Sequence, residues 1–103
     1  MESEPLPEHL PLSLGQVVVT QSLWRGLLID LDESTSLRRL AGLLERHRRG
    51  DWGELDESDL RANDRALVHG GRVLSAYLVS DLRVWCITEA DRSATTLLLP
   101  EDY

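Results

Sequence analysis

The last third of the chain constrains the fold most. Between Arg72 and Pro100, three strand-like runs, "RVLSAYLV", "LRVWCIT" and "SATTLLL", follow one another, with Ser80-Asp81 joining the first two and the short knot Ala90-Asp91-Arg92-Ser93 joining the last two. Links that short cannot carry a crossover to a parallel neighbour, so the runs must pair as antiparallel hairpins. Alternation puts Leu74, Ala76 and Leu78 on one face of the first run. In the second it sets Trp85 and Ile87 opposite Val84 and Cys86. Pro100 ends the last strand.

What precedes this meander reads as one short strand and three helices. "GQVVVT" places consecutive β-branched residues at Val17 to Val19. "SLWRGLLIDL" follows as a helix capped by Thr20 or Ser22, with Leu23, Leu27 and Leu28 on one face and Trp24 beside them. Gly26 weakens it. "DESTSLRRLAGLLERHRRG" is the clearest helix. Ser34 or Ser36 caps it, and Leu37, Leu40, Leu43, Leu44 and His47 recur at helical spacing. Arg46, Arg48 and Arg49 complement the macrodipole at its end, and Gly50 stops it. The third helix is capped by Asp56 or Ser58, turns Leu60, Leu67 and Val68 inward, and stops at Gly70-Gly71. Asn63 falls between Leu60 and Leu67 and is expected to point toward the protein body.

Helices grouped before an antiparallel meander predict an α+β domain over residues 14–103. Its expected form is a short N-terminal strand, three helices and a three-stranded antiparallel meander, with the helices packed on one face of the sheet. Residues 1–13 hold three prolines and three glutamates, which predicts a mobile acidic arm.

A length of 103 residues bounds the chain to one domain, with little room for a deep pocket and a lid. The net charge of −7, with every cation an arginine, disfavours nucleic acid as a direct partner, because phosphate neutralisation needs clustered positive charge. It suits a protein partner with a basic nucleic-acid-binding groove. Charge alternates along the chain: −5 over residues 1–33, +4 over 34–50, −4 over 51–69 and −2 over 70–103. The single cysteine, Cys86, lies in an apolar run. It reads as a small buried hydrophobe and fits a reducing, cytoplasmic setting. No stretch approaches a membrane helix, and the acidic start does not resemble a signal peptide, so no membrane association is expected.

His9, His47 and His69 show no metal-ligand spacing, and neither a metal nor another cofactor is expected. His47 reads as a helix-end residue half packed on the core. Trp52, between Asp51 and Gly53, either lodges in the body or presents its ring as an interface anchor, and lodging is the favoured reading. The polar knot "EADRS" reads first as a hairpin turn, in which Asp91 and Ser93 satisfy neighbouring backbone groups. Glu89 and Arg92 then form a salt bridge across it, or Arg92 turns under the sheet toward Asn63 or Asp64 as a buried organising cation. The catalytic alternative is a small hydrolase or nucleotide-handling enzyme using Glu89, Asp91, Arg92 and Ser93. It lacks a visible base for its hydroxyl.

From about Arg46 to Tyr103 the chain resembles a family of small bacterial proteins borne by plasmids, phages and integrative elements, some labelled plasmid-related or restriction-associated. The residues that carry the likeness are Gly50-Asp51-Trp52-Gly53, Asn63-Asp64, Gly71-Arg72, Leu74-Ser75-Ala76-Tyr77, Trp85, Ile87-Thr88-Glu89-Ala90-Asp91-Arg92-Ser93, Thr95-Thr96 and the Pro100-Glu101-Asp102-Tyr103 end. No catalytic residues come with the resemblance. It implies a context of mobile DNA and its contest with host defences. Asp51, Trp52, Asn63, Asp64, Glu89, Asp91, Arg92, Ser93, Thr95 and Thr96 are accordingly the candidate binding residues. Of these, Asp51, Asn63, Glu89, Asp91, Arg92, Ser93, Thr95 and Thr96 are expected to meet where the third helix crosses the hairpin end, as one polar seam that is either a buried network fixing the fold or a shallow recognition site. The expected function is a non-enzymatic accessory protein that binds a protein, most concretely an inhibitor of a host nucleic-acid-targeting defence complex of anti-CRISPR or anti-restriction type. A structural homodimer, sealed through the Val17–Val19 strand or an edge of the meander, is the third reading.

Overall fold

The computed structural model describes residues 9–103. The chain runs as β1 (Gln16–Val19), α1 (Gln21–Asp30), α2 (Glu33–Arg48), α3 (Glu57–His69), β2 (Val73–Val79), β3 (Leu82–Thr88), β4 (Ala94–Leu98) and a short 3-10 turn (Pro100–Asp102). The element order is the expected one, and the class is α+β.

The sheet is not a simple three-stranded meander. β1 joins it, parallel to β4, in the order β1-β4-β3-β2. The first and last strands thus lie side by side, and β1 and β2 form opposite edges. A parallel pair of this kind needs a long connection, and here three helices and two strands supply it.

Thr20 caps α1, and its Oγ1 accepts from the Leu23 N–H. Asp32, rather than Ser34 or Ser36, caps α2 through the Thr35 N–H, and Asp56 caps α3. A carboxylate outcompetes a hydroxyl at these positions because it also meets the positive end of the helix dipole. Leu23 and Leu27 of α1 and Leu40 and Leu43 of α2 pack on Tyr77, Val79, Val84, Cys86 and Leu97. A second apolar cluster joins Leu12, Trp52, Ala66, Leu67 and Val73, with Leu10, Leu14 and Leu55 against it.

Three details correct or refine the sequence reading. Leu37, Leu60 and Val68 are exposed. Ser36 and Ala66 take buried positions on their helices instead, while Asn63 turns inward as expected and bonds the sheet. Next, residues 1–8 of the expected arm lie outside the described residues, but Leu12 is buried and its N–H donates to the Arg48 carbonyl at 2.8 Å. The packed body therefore begins before residue 14. Finally, both residues of the Ser80-Asp81 link have positive φ, +46° and +68°, the conformation that matches a tight hairpin to the twist of its strands.

Candidate functional site

The expected site residues separate into three structural jobs, starting at the outer edge of β2. The Asn63 side-chain amide donates to the Leu74 carbonyl at 2.7 Å, and its oxygen accepts from the Leu74 N–H at 3.0 Å. One side chain thus does what a neighbouring strand would do. Two residues along, the Ala76 N–H donates to the Trp52 carbonyl at 3.0 Å and its carbonyl accepts from Glu54 N–H at 2.7 Å. Gly53 lies between them with φ +72°, where an added Cβ would fall 2.1 Å from the Ala76 oxygen. Only glycine permits that approach.

Asp51 holds the loop that makes this clamp. Its carboxylate takes the Arg46 guanidinium at 2.7 and 3.2 Å and the Gly53 N–H at 3.2 Å. The Arg46 bond, first, keeps this carboxyl below its ordinary pKa. The Asp51 carbonyl accepts from the buried Tyr77 hydroxyl at 2.6 Å. Trp52 is lodged rather than presented. Its ring meets His47 edge-on, with centroids 5.5 Å apart.

The second job falls to the 89–93 turn. Arg92 adopts φ +62°, a conformation that usually selects glycine or asparagine. Its guanidinium donates to three carbonyls, those of Gly71 (2.6 Å), Ala66 (3.1 Å) and Glu89 (3.1 Å). It binds the end of α3 to the hairpin. The expected salt bridge from Arg92 to the Glu89 carboxylate does not form. Glu89 pairs with Arg72 at 3.0 Å instead, because the left-handed backbone at Arg92 aims that side chain at the helix end. Nor does Arg92 reach Asn63, whose amide is committed to Leu74. Asp91 accepts from the Ser93 N–H at 2.9 Å, and the Ser93 hydroxyl first, then this N–H, lowers its pKa. Glu89, Asp91, Arg92 and Ser93 are neighbours with divergent partners, not side chains converging on a common point.

The third job is buried. Thr95 belongs to a chain of hydrogen bonds that crosses the whole sheet, and three of its members were not among the expected site residues. Ser75 on β2 bonds His47 Nδ1, His47 Nε2 meets Thr88 Oγ1 at 2.9 Å, Thr88 meets Thr95 at 2.7 Å, and Thr95 donates to the Leu14 carbonyl at 2.7 Å. All four side chains are 0% exposed. Proton counting orients the chain. Because Thr95 gives its proton to Leu14, it must accept from Thr88, which must accept from His47 Nε2–H, leaving Nδ1 to accept from Ser75. Neutral imidazole satisfies every partner. Burial, and secondarily the charge of Arg92, pulls the His47 pKa down to about 4. The Ser75–His47 contact has the outline of a nucleophile and base, but no solvent or substrate reaches either group. Inward-facing Ser75, Thr88 and Thr95, at alternate strand positions where aliphatics are usual, were the available signal. Cys86 is buried, and burial pushes its thiol up to about 12.

Of the remaining expected residues, Thr96 is half-buried on the opposite face of the sheet, and Asp64 is half-buried on α3. Among the described residues no group of three or more His, Cys, Asp or Glu side chains could hold a metal ion. No described helix is long and apolar enough to cross a membrane. A shallow hollow of about 390 Å³, lined by Leu10, Pro11, Arg48 and Arg49, contains none of the expected site residues.

The opposite sheet face remains. Its register places Leu74, Ile87, Thr96 and Val18 in one row across all four strands, with Ala76, Trp85 and Leu98 in the next and Leu78 beside Arg83 beyond. Neither apolar cluster of the described residues includes this face. Leu78 is 55% and Val18 42% exposed, Leu74, Trp85 and Thr96 are half-buried, and Ala76, Ile87 and Leu98 are buried. Tyr103 stands edge-on to Trp85 with centroids 6.0 Å apart, and its hydroxyl accepts from Arg72 at 2.6 Å.

Compared with known proteins, the chain matches no family model, no curated protein and no solved structure.

Proposed function

We propose that the chain acts by binding another protein through the open face of its sheet, not by catalysis at the 89–96 segment. The observation that carries this is the exposed Leu78 and Val18 with the half-buried Leu74 and Trp85 between them on one face of the sheet. This is an apolar sheet face against which no described helix contributes core residues. Exposed apolar surface bordered by polar groups is a common mark of protein interfaces. The polar residues that could instead suggest chemistry are engaged in closing an edge, holding a turn or filling the interior.

The occupant is a protein of opposite charge, since the chain carries −7. The narrower reading is an accessory protein of mobile elements that covers the basic groove of a host nucleic-acid-targeting defence complex. It rests on that charge and on the resemblance of residues 46–103.

The test uses the full chain as bait against purified nucleic-acid-targeting complexes, beside a Leu78→Arg, Thr96→Arg variant with an unchanged circular dichroism spectrum. The expected result is a complex retained by the native bait, lost with the variant, and displaced by competing duplex nucleic acid. Equal retention by both baits, or retention indifferent to nucleic acid, contradicts the reading.

A further inference from the structure

The two edges of the sheet end in opposite ways. Along β2, Asn63 occupies the Leu74 backbone and the Trp52–Glu54 loop occupies that of Ala76. Along β1, the Gln16 N–H donates inward to Ser93 and the Thr20 N–H inward to Leu97, each at 3.0 Å. Strand alternation then turns the N–H and C=O groups of Val17 and Val19 outward, and among the described residues no backbone group meets them.

Edge strands are usually protected by charge, proline, a bulge or a covering segment. Gln16–Val19 has no charge and no proline, and its register with β4 is unbroken. The uncharged stretch is longer than the strand: no charged residue occurs from Leu10 to Trp24, in a chain that is 28% charged. Val17 and Val18 are 43% and 42% exposed.

We propose that β1 is a dimerisation strand whose occupant is β1 of a second copy of this chain, paired antiparallel about a two-fold axis normal to the sheet. The sequence is self-complementary in that arrangement. Val18 faces Val18 of the second copy across the axis. Val17 faces Val19 of the second copy, the two exchanging both of their outward backbone bonds, and Gln16 faces Thr20. Like-charged copies meet along the uncharged stretch, where repulsion is weakest. The two sheets become one, and their open faces become a continuous surface with the Val18 pair at its centre. The proposal does not depend on what that surface binds.

The test is sedimentation of the full chain over a concentration series. A dimer is expected at micromolar concentrations. Val17→Lys places like charges across the axis and should raise the dissociation constant at least ~10-fold. Val17→Pro removes an outward donor while sparing the bonds to β4, and should act likewise with an unchanged circular dichroism spectrum. Leu78→Arg should leave the dimer intact. Val17 shares the helix-covered face with Thr95, its partner in register, so these variants probe the edge without touching Leu78 or Thr96. A native chain that stays monomeric at ~100 μM, where a specific pairing would be populated, overturns the proposal. So does a dimer indifferent to both Val17 variants.

Discussion

The edge at β2 and the edge at β1 solve the same problem differently. Both present a row of backbone donors and acceptors that water or another chain must satisfy. At β2 the chain closes the row itself at Leu74 and Ala76, with an asparagine amide, the backbone beside a buried tryptophan and a glycine that lets two backbones touch. At β1 it does nothing comparable within the described residues, and leaves three valines in its place. The difference teaches where information is concentrated. Closing an edge internally needs particular residues at particular points, which is why Gly50-Asp51-Trp52-Gly53 and Asn63 look like motifs. An open edge needs only the absence of charge, which looks like nothing at all.

The comparison predicts very unequal responses to substitution. The largest is at the close approach: Gly53→Ala meets the Ala76 oxygen at 2.1 Å and holds an unfavourable φ, and should cost about 3–5 kcal/mol in chemical denaturation. A loss under 1 kcal/mol would mean the clamp gives way easily. Next comes pH, through the chain that reaches from Ser75 on the closed edge to the Leu14 carbonyl before the open one. His47 has a folded pKa of about 4 against an ordinary 6.5, so the fold favours the neutral ring. Its contribution is complete above pH 6.5 and is lost as the pH falls toward 4, by about 1.4 kcal/mol per unit and about 3 kcal/mol in all. Urea midpoints across that range should show this slope, and His47→Gln should flatten it.

Asn63→Leu strands the Leu74 N–H and C=O together and should cost about 2–3 kcal/mol. In the opposite direction, replacing Ser80-Asp81 by Asn-Gly suits a turn that holds positive φ at both residues, and should raise stability by up to about 1 kcal/mol. At the open edge, Val17→Lys should change the stability of the monomer by no more than about 0.5 kcal/mol. A large loss there would mean that β1 is held as firmly as β2.

Much of the fold was legible along the chain because periodicity and punctuation are local. Three hairpin-linked strands, three helices, the glycine stops at Gly50 and Gly70, and a lodged Trp52 all follow from neighbours in sequence. The parallel union of β1 with β4 was not legible. Nothing near Val17 specifies a partner almost eighty residues away, and the union depends on how three helices fold back. The inward faces of the helices were partly misjudged for a related reason. Leu37, Leu60 and Val68 hold helical spacing yet lie exposed, whereas the inward turn of Asn63 was read correctly, toward groups on β2. The 89–96 segment attracted attention for its density of polar residues, but Arg92 serves the end of α3, Thr95 serves the interior, and Glu89 serves Arg72. His47 was visible only as a residue at helical spacing. The hydroxyls that give it meaning come from three different strands.

The most direct measurement is amide hydrogen exchange on the native chain, read at the two edges at low and at high protein concentration. Exchange at Leu74 and Ala76 should be slow at both concentrations. Val17 and Val19 should exchange quickly when dilute and slowly when concentrated. Fast exchange at Leu74, or exchange at Val17 and Val19 that ignores concentration, would contradict the contrast between a closed edge and an open one.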